Sequence, residues 1–293
     1  MKVRSFEPSM SHDVVTVYNR MTSNAPYCYP LDEGLFETAV TSHPDFAPDG
    51  FFVAYDGETP VGLIHTGFVE RNGETHGAIM LFLAEDRGVC DILLDRGLGF
   101  LRRRGVEVCH VMAQESGNMR FYSGVHMGYE VALWQGYFAV VSALRRRGFE
   151  SARLGFMMAK ALDSEPEPIS PGTEVDIRIT RGEGTNPFYT NGRVEAYAGE
   201  ERIGLCGFYL LKQLSAYLGK GIGQIDIGVN EQYRRLGVAT ALLSRAHLEL
   251  YRDGARRVIL ATNYAAYPAI RLYRKLGYIE DTVNLLVLTG ILK

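Results

Sequence analysis

The strongest constraint on this 293-residue chain is that part of it is written twice. The stretch RGVCDILLDRGLGFLRRRG, from Arg87, lies without a gap against LGVATALLSRAHLELYRDG, from Leu236, at a spacing of 149 residues. That register sets Gly88 on Gly237, Gly105 on Gly254 and, further on, Gly128-Tyr129 on Gly277-Tyr278. Two unrelated amphipathic helices share a 3.6-residue period, but nothing keeps their glycines in step, so an internal duplication is the economical reading. A chain of this length has room for two domains of about 150 residues each.

Each half shows a short strand, alternating apolar strands that can pair as hairpins, then strand, glycine turn, long helix, strand, helix and strand. This predicts an α/β fold with a mixed sheet: two tandem domains, each a mostly antiparallel twisted sheet flanked by helices. In the second half GRVEAYAG, ERIGLCGFYLL, GQIDIGV and RRVILAT read as strands, with helices over Gly237 to Arg252 and Pro268 to Leu276. Pro268 suits a first helical turn. Arg147 to Lys160 reads as a helix running into ALDSEPEPISPG, where prolines, serines and acids cluster as in a linker. The boundaries expected are 1–163, a linker at 164–172, and 173–293.

Composition excludes several classes. With 46% hydrophobic and 22% charged residues the chain can bury a full core, which excludes disorder. A net charge of -3 gives no basic field for nucleic acid, and the runs Arg102–Arg104 and Arg145–Arg147 read as solvated surface. MKVRSFEPSM lacks the apolar core of a secretory leader, and no apolar run approaches the roughly 18 residues that span a bilayer, so the expectation is a cytoplasmic protein without membrane contact, monomeric or homodimeric. Cys28, Cys90, Cys109 and Cys206 show no C-x-x-C spacing and read as buried free thiols, with no metal expected. No G-x-G-x-x-G follows a strand, which disfavours a dinucleotide site, and Gly219-Lys220 is followed by Gly221 where a P-loop needs Ser or Thr.

The chemistry concentrates in QIDIGVNEQYRRLGVATALL, from Gln224 to Leu243. An apolar strand ends at Val229, a polar turn follows, and Arg234-Arg235-Leu236-Gly237-Val238-Ala239 leads straight into a helix. The first N–H groups of a helix lack internal partners and, with the positive end of the dipole, form an anion site. Gly237 lets a ligand approach the backbone, Ala239 keeps the next turn small, and Arg234 and Arg235 add charge at the rim.

This R-R-L-G-V-A run, between an apolar strand and a long helix, resembles motif A of the GNAT superfamily of N-acetyltransferases, and PAIRLYRKLGY from Pro268 resembles its motif B. The resemblance implies an N-acyltransferase that moves an acetyl group from acetyl-CoA, as cosubstrate, to a primary amine of a small molecule or peptide. It further implies that Ile227 and Val229 offer backbone groups to pantetheine and that Val238 to Thr240 meet the pyrophosphate, with Leu236 and Gly237 in the same cofactor-binding turn. Backbone N–H near Val229 would be the oxyanion donor, and Tyr273 would face the leaving sulfur. A phenol of pKa about 10 cannot transfer its proton downhill to a thiolate of about 8.5, so Tyr273 is expected to hold the thiolate by a hydrogen bond.

Two departures from the family pattern matter. Gln224 stands where relatives carry a glutamate base, and an amide cannot take a proton, which leaves Asp226 on the same strand, or Glu231 in the turn, to receive it through water. Ala266 replaces an asparagine, so Asn263 is the candidate for that pantetheine contact or else a turn residue. These departures keep open a noncatalytic acyl-CoA-binding or regulatory module. In the first half Glu85 and Asp86 replace the arginine pair and Cys90 replaces Ala239, a reversal of sign that predicts loss of coenzyme affinity there. The short RGEGTNPFYTNG connection suggests an acceptor wall borrowed from elsewhere, with Phe188 and Tyr189 nearby.

Overall fold

The computed structural model describes residues 1–111, 121–129, 132–182 and 186–292. They form two compact units, Met1–Leu154 with Val283–Lys293, and Gly155–Thr282.

In unit 1, β1 (Lys2–Ser5) is followed by helices α1 (Ser11–Thr22) and α2 (Glu33–Phe36), and then by β2 (Phe51–Asp56), β3 (Thr59–Arg71) and β4 (Glu74–Ala84). The four strands pair antiparallel, each with the next. Asn72 (φ 53°) and Gly73 (φ 81°) make the β3–β4 turn, the left-handed pair that a two-residue hairpin demands. Helix α3 (Arg87–Arg103) then buries Val89, Leu93, Leu94, Leu98 and Leu101, and it crosses to β5 (Val108–Val111), which pairs parallel to β4. Next come β6 (Leu133–Trp134), α4 (Phe138–Arg146) and β7 (Glu150–Ala161), whose residues from Gly155 onward belong to unit 2. The second helix expected before Gly128 is not seen at 121–129, which is turn, and 112–120 lie outside the described residues.

Unit 2 repeats this order. Strands β8 (Asp176–Arg181), β9 (Tyr189–Ala198) and β10 (Glu201–Leu211) lead through the short α5 (Lys212–Tyr217) to β11 (Ile222–Val229), all antiparallel neighbours. Helix α6 (Val238–Arg252) crosses to β12 (Arg257–Asn263), which is parallel to β11, and α7 (Tyr267–Lys275) precedes β13 (Ile279–Ile291). The core under α6 joins Cys206, Phe208 and Ile225 of the sheet to Leu242, Leu243, Ala246 and Leu250 of the helix.

The segment read from sequence as a helix, Arg147 to Lys160, is a correction: from Glu150 it is strand β7. Met, Ala, Leu and Lys favour helix locally, but Phe156 to Ala159 are buried on both faces, and strand pairing with β12 from Ala161↔Arg257 to Gly155↔Asn263 overrides propensity. A Cβ at Gly155 would stand 2.6 Å from the Thr262 carbonyl, so the two backbones approach as only glycine allows.

The last strand of each unit comes from the far part of the chain. In unit 2, β12 pairs with residues 155–161, which follow unit 1 in sequence. In unit 1, β5 pairs antiparallel with residues 288–291, which follow unit 2. Each sheet is therefore finished by a strand that the other half of the sequence supplies, and the chain passes between units at Leu154/Gly155 and Thr282/Val283. The segment 164–172 belongs to unit 2 and runs along α6: Glu165 pairs with Arg252, the Ile169 N–H donates to Ser244 Oγ, and the Gly172 N–H donates to the Leu236 carbonyl at 3.3 Å.

Among the described residues no helix is long and apolar enough to cross a membrane and no group of His, Cys, Asp or Glu could hold a metal. The four cysteines are buried free thiols, and burial pushes Cys28 and Cys90 up to about 12. Three histidines are buried neutral, each lowered to about 3 chiefly by burial: His65, which meets Tyr122 Oη, His126 beside Cys28, and His247, which meets Tyr278 Oη at 2.6 Å.

Two expectations follow. A chain ending at Thr282 uncovers β5 and loses Leu285, Leu286 and Leu288, all buried. At about 2 kcal/mol per leucine this removes roughly 6 kcal/mol, comparable with the whole stability of a domain, so circular dichroism should show no cooperative melt for unit 1; an unchanged melt contradicts the exchange. The histidines set an acid limit. Their native pKa lies below the unfolded value of about 6.5, so the unfolded chain alone takes up protons as pH falls from about 6.5 toward 3. Denaturant titrations should therefore show each histidine removing about 1.4 kcal/mol per pH unit in that window, and none above it.

Candidate functional site

Strand β11 is paired unequally on its two sides. With β10 it pairs along its length, from Gly223↔Leu210 to Val229↔Gly204. With β12 it pairs only from Ile222↔Arg257 to Gln224↔Ile259, and beyond that the parallel strands part while β12 stays on β7 through Asn263. Exposure follows the opening: Ile222 to Ile225 are buried, Asp226, Ile227 and Val229 are half-buried, and Gly228 is exposed. The β11 backbone from Ile225 to Val229 thus faces a wedge that an extended ligand can enter as an added strand.

The open end of the wedge leads to the start of α6. The Asn230 N–H donates to the Ile203 carbonyl and a single 3-10 turn covers Glu231–Tyr233. Arg234 Nε donates back to the Val229 carbonyl at 3.2 Å, so one guanidinium spans the strand end and the turn. Arg235 takes φ 67° and Gly237 φ 84°. No side chain caps α6, whose N-cap is Gly237 itself, so the first N–H groups at Val238, Ala239 and Thr240 point out of the helix end. Leu236 is exposed, and its carbonyl is held by the Gly172 N–H. A Cβ on Gly237 would meet Gly172 N at 3.2 Å and Pro171 Cα at 3.4 Å, in addition to the strain of positive φ.

The other candidates divide. Ile227 and Val229 lie on the wedge, on the strand face that packs toward the α6 core. Tyr273 on α7 is 7% exposed within that same core, its ring 5.9 Å from Tyr278. Asn263 ends β12 and uses Oδ1 to accept from the Ala265 N–H at 2.8 Å, which shapes the turn into α7. Gln224 is buried at 1% exposure, on the face opposite α6. Asp226 shares that face, where Oδ1 accepts from the Gly207 N–H at 3.0 Å and Oδ2 from the Tyr209 hydroxyl at 3.2 Å. Glu231 is exposed and lies 3.9 Å from Arg234.

Sequence reasoning missed Gly207, Tyr209 and the Pro171-Gly172 brace. The i, i+2 spacing of Gly207 and Tyr209 puts them on one face of β10, but only the β10–β11 register brings Asp226 opposite.

In unit 1 the corresponding helix end is closed from within. Asp86 caps α3, its Oδ1 accepting from the Val89 N–H at 2.9 Å, and Glu85 pairs with Arg20 at 2.7 Å. Met80 to Ala84 of β4 are all buried, in contrast to Asp226 to Val229 of β11.

Parallel strands that part beside an uncapped, glycine-started helix leave a cleft whose open end offers unpaired N–H groups. The Acetyltransferase (GNAT) family model matches residues 156–278, nearly the whole of unit 2, so this part of the chain is similar to GNAT acetyltransferase domains. An N-alpha-acetyltransferase of Sulfurisphaera tokodaii is 47% identical over 80 residues, 26% of this chain and 46% of that protein. One from Saccharolobus solfataricus is 40% identical over 73 residues, 25% and 43% of the two chains. The match thus spans less than half the length of these curated relatives. Among solved structures, a tandem GNAT protein from the clavulanic acid biosynthesis pathway superimposes with TM-score 0.68 at 10% identity over 100% of this chain and 99% of its own. A GCN5-related N-acetyltransferase from Sphaerobacter thermophilus gives 0.63 at 14% over 100% of this chain and 96% of its own. These likenesses establish the fold.

Gly237→Ala should destabilise unit 2 by about 1–2 kcal/mol through its left-handed φ, a melting-temperature loss of roughly 2–8 °C by calorimetry. An unchanged melt would show that Pro171-Gly172 does not constrain the loop.

Proposed function

We propose that unit 2 is an N-acetyltransferase that takes acetyl-CoA as cosubstrate and acylates a primary amine, and that unit 1 binds no coenzyme. The observation that carries this reading is the uncapped α6 N-terminus with two adjacent arginines at the open end of the β11–β12 wedge. The residues present fit the ligand: Val238, Ala239 and Thr240 offer N–H groups to a diphosphate, Arg234 and Arg235 offer charge, and Ile227 and Val229 offer strand-edge backbone to pantetheine. In unit 1 the Asp86 carboxylate already fills the place a phosphate would take.

Bound acetyl-CoA supplies an activated acyl carbon and a thiolate leaving group. The chain's own residues supply the rest. Val229 N–H donates to the carbonyl oxygen as charge develops there. Tyr273 stabilises the sulfur by a hydrogen bond, because its proton is held too tightly to be given up. Asp226, held on the open face, receives the acceptor's proton, a role that the amide of Gln224 cannot fill. Matches to two N-alpha-acetyltransferases favour an α-amine of a peptide or a small molecule as the acceptor.

Isothermal titration of acetyl-CoA into the whole chain should give one site per chain. Arg234→Ala/Arg235→Ala should weaken it about tenfold or more, with a loss that shrinks as salt rises. Two sites, or an unaffected double variant, overturns the assignment of the site. Thiol release with peptide and small amines tests turnover, and binding without release would make unit 2 a noncatalytic acyl-CoA-binding module.

A further inference from the structure

The face of β10 and β11 opposite α6 carries a feature that neither the helix end nor the wedge requires. Gly207 and Asp226 are directly opposed in the β10–β11 register. Both carboxylate oxygens of Asp226 accept from β10, one from the Gly207 N–H and the other from the Tyr209 hydroxyl. A Cβ at Gly207 would fall 2.4 Å from Asp226 Oδ1 and 2.7 Å from Tyr209 Oη, so the glycine is what lets carboxylate and phenol meet. Tyr209 is itself 9% exposed and stands edge-on to Tyr189, ring centroids 6.0 Å apart. Asp226 lies two residues past Gln224, the last β11 residue paired with β12, which is where the wedge begins.

We propose that Tyr209 and Gly207 are positioning residues that hold the Asp226 carboxylate at the mouth of the wedge to receive the acceptor as an alkylammonium ion. This rests on the transferase reading above. Two donors fix the carboxylate plane, and each oxygen keeps a lone pair for a further donor. A fixed, half-buried carboxylate favours a cation over a neutral amine. One ammonium proton passes to Asp226, directly or through one water, and on to solvent. The freed nitrogen pair forms the C–N bond as the C–S bond breaks, and the second proton lost from nitrogen ends on the departing thiolate. The products are the amide, the free thiol and one proton, with no oxidant or reductant needed.

The test compares two acceptors in the whole chain: an alkylamine that is protonated at neutral pH, and an arylamine that is not. In Tyr209→Phe the alkylamine kcat/KM should fall about tenfold, mostly through KM, while the arylamine value changes less than threefold and acetyl-CoA affinity stays within twofold. Asp226→Asn should abolish the alkylamine preference. Gly207→Ala, whose methyl group pushes the carboxylate aside, should resemble Tyr209→Phe. If the parent turns over and both acceptors fall equally in Tyr209→Phe, the positioning role is overturned while the transferase reading stands. Should the parent bind acetyl-CoA yet release no thiol with either amine, the transferase reading fails and this inference falls with it.

Discussion

The proposed coenzyme site of unit 2 depends on helix α6 starting without a side chain to satisfy it. The contrast with α3 makes the constraint visible: in the 149-residue register Gly88 matches Gly237, yet α3 starts two residues earlier, capped by Asp86, whereas α6 starts after Gly237 itself. In α3 the preceding residue is Asp86, whose carboxylate takes the Val89 N–H and neutralises the positive end of the dipole within the chain. In α6 the preceding residues are arginines and a left-handed glycine, so the amides and the charge stay available to an external anion. A carboxylate cap of the kind seen in α3 would occupy the N–H groups that the proposed diphosphate site in α6 leaves free.

The brace along α6 explains how such an exposed turn keeps its shape. Arg235 lies at positive φ, a conformation that is strained for a residue other than glycine and persists only where its surroundings hold it. Gly172 N–H anchors the Leu236 carbonyl, Pro171 packs on Gly237, and Ile169 and Glu165 tie the same segment to Ser244 and Arg252 further along the helix. A segment whose composition reads as linker is therefore part of the framework of the site. The exchanged strands add to this: residues 155–161 complete the sheet of unit 2 on the far side of β12, which gives β12 a fixed partner along its length and leaves β11 as the strand that parts.

Much of this was legible in the sequence. The duplication, the strands around Ile225 and Val258, and the helix from Gly237 to Arg252 follow from periodicity and glycine placement, because those are local signals. The clearest error, a helix over Arg147 to Lys160, has a physical cause. Helix-forming residues there are overruled by pairing with Arg257–Asn263, about a hundred residues away, and local pattern carries no information about a partner so distant. The exchange of terminal strands was hidden for the same reason. At the candidate site, the glycine turn that leads into α6 could be read because its parts are contiguous. The Gly207, Tyr209 and Asp226 cluster could not, since its members meet only through the β10–β11 register.

The same distinction separates the two kinds of chemistry. In the proposed coenzyme site the ligand would meet backbone amides of one continuous turn, an arrangement that tolerates change in every side chain except the glycine and the charged rim. The proposed acceptor site would use side chains on the opposite face, assembled from two strands, where a single departure such as Gln224 would be offset by a carboxylate two residues on. In Asp226 that carboxylate is oriented by donors from the neighbouring strand, Gly207 and Tyr209, which have no part in the anion site. On this proposal the acceptor face can diverge while the coenzyme turn stays fixed, because Asp226 is oriented by Gly207 and Tyr209 of β10 and the turn before α6 is held by Gly172.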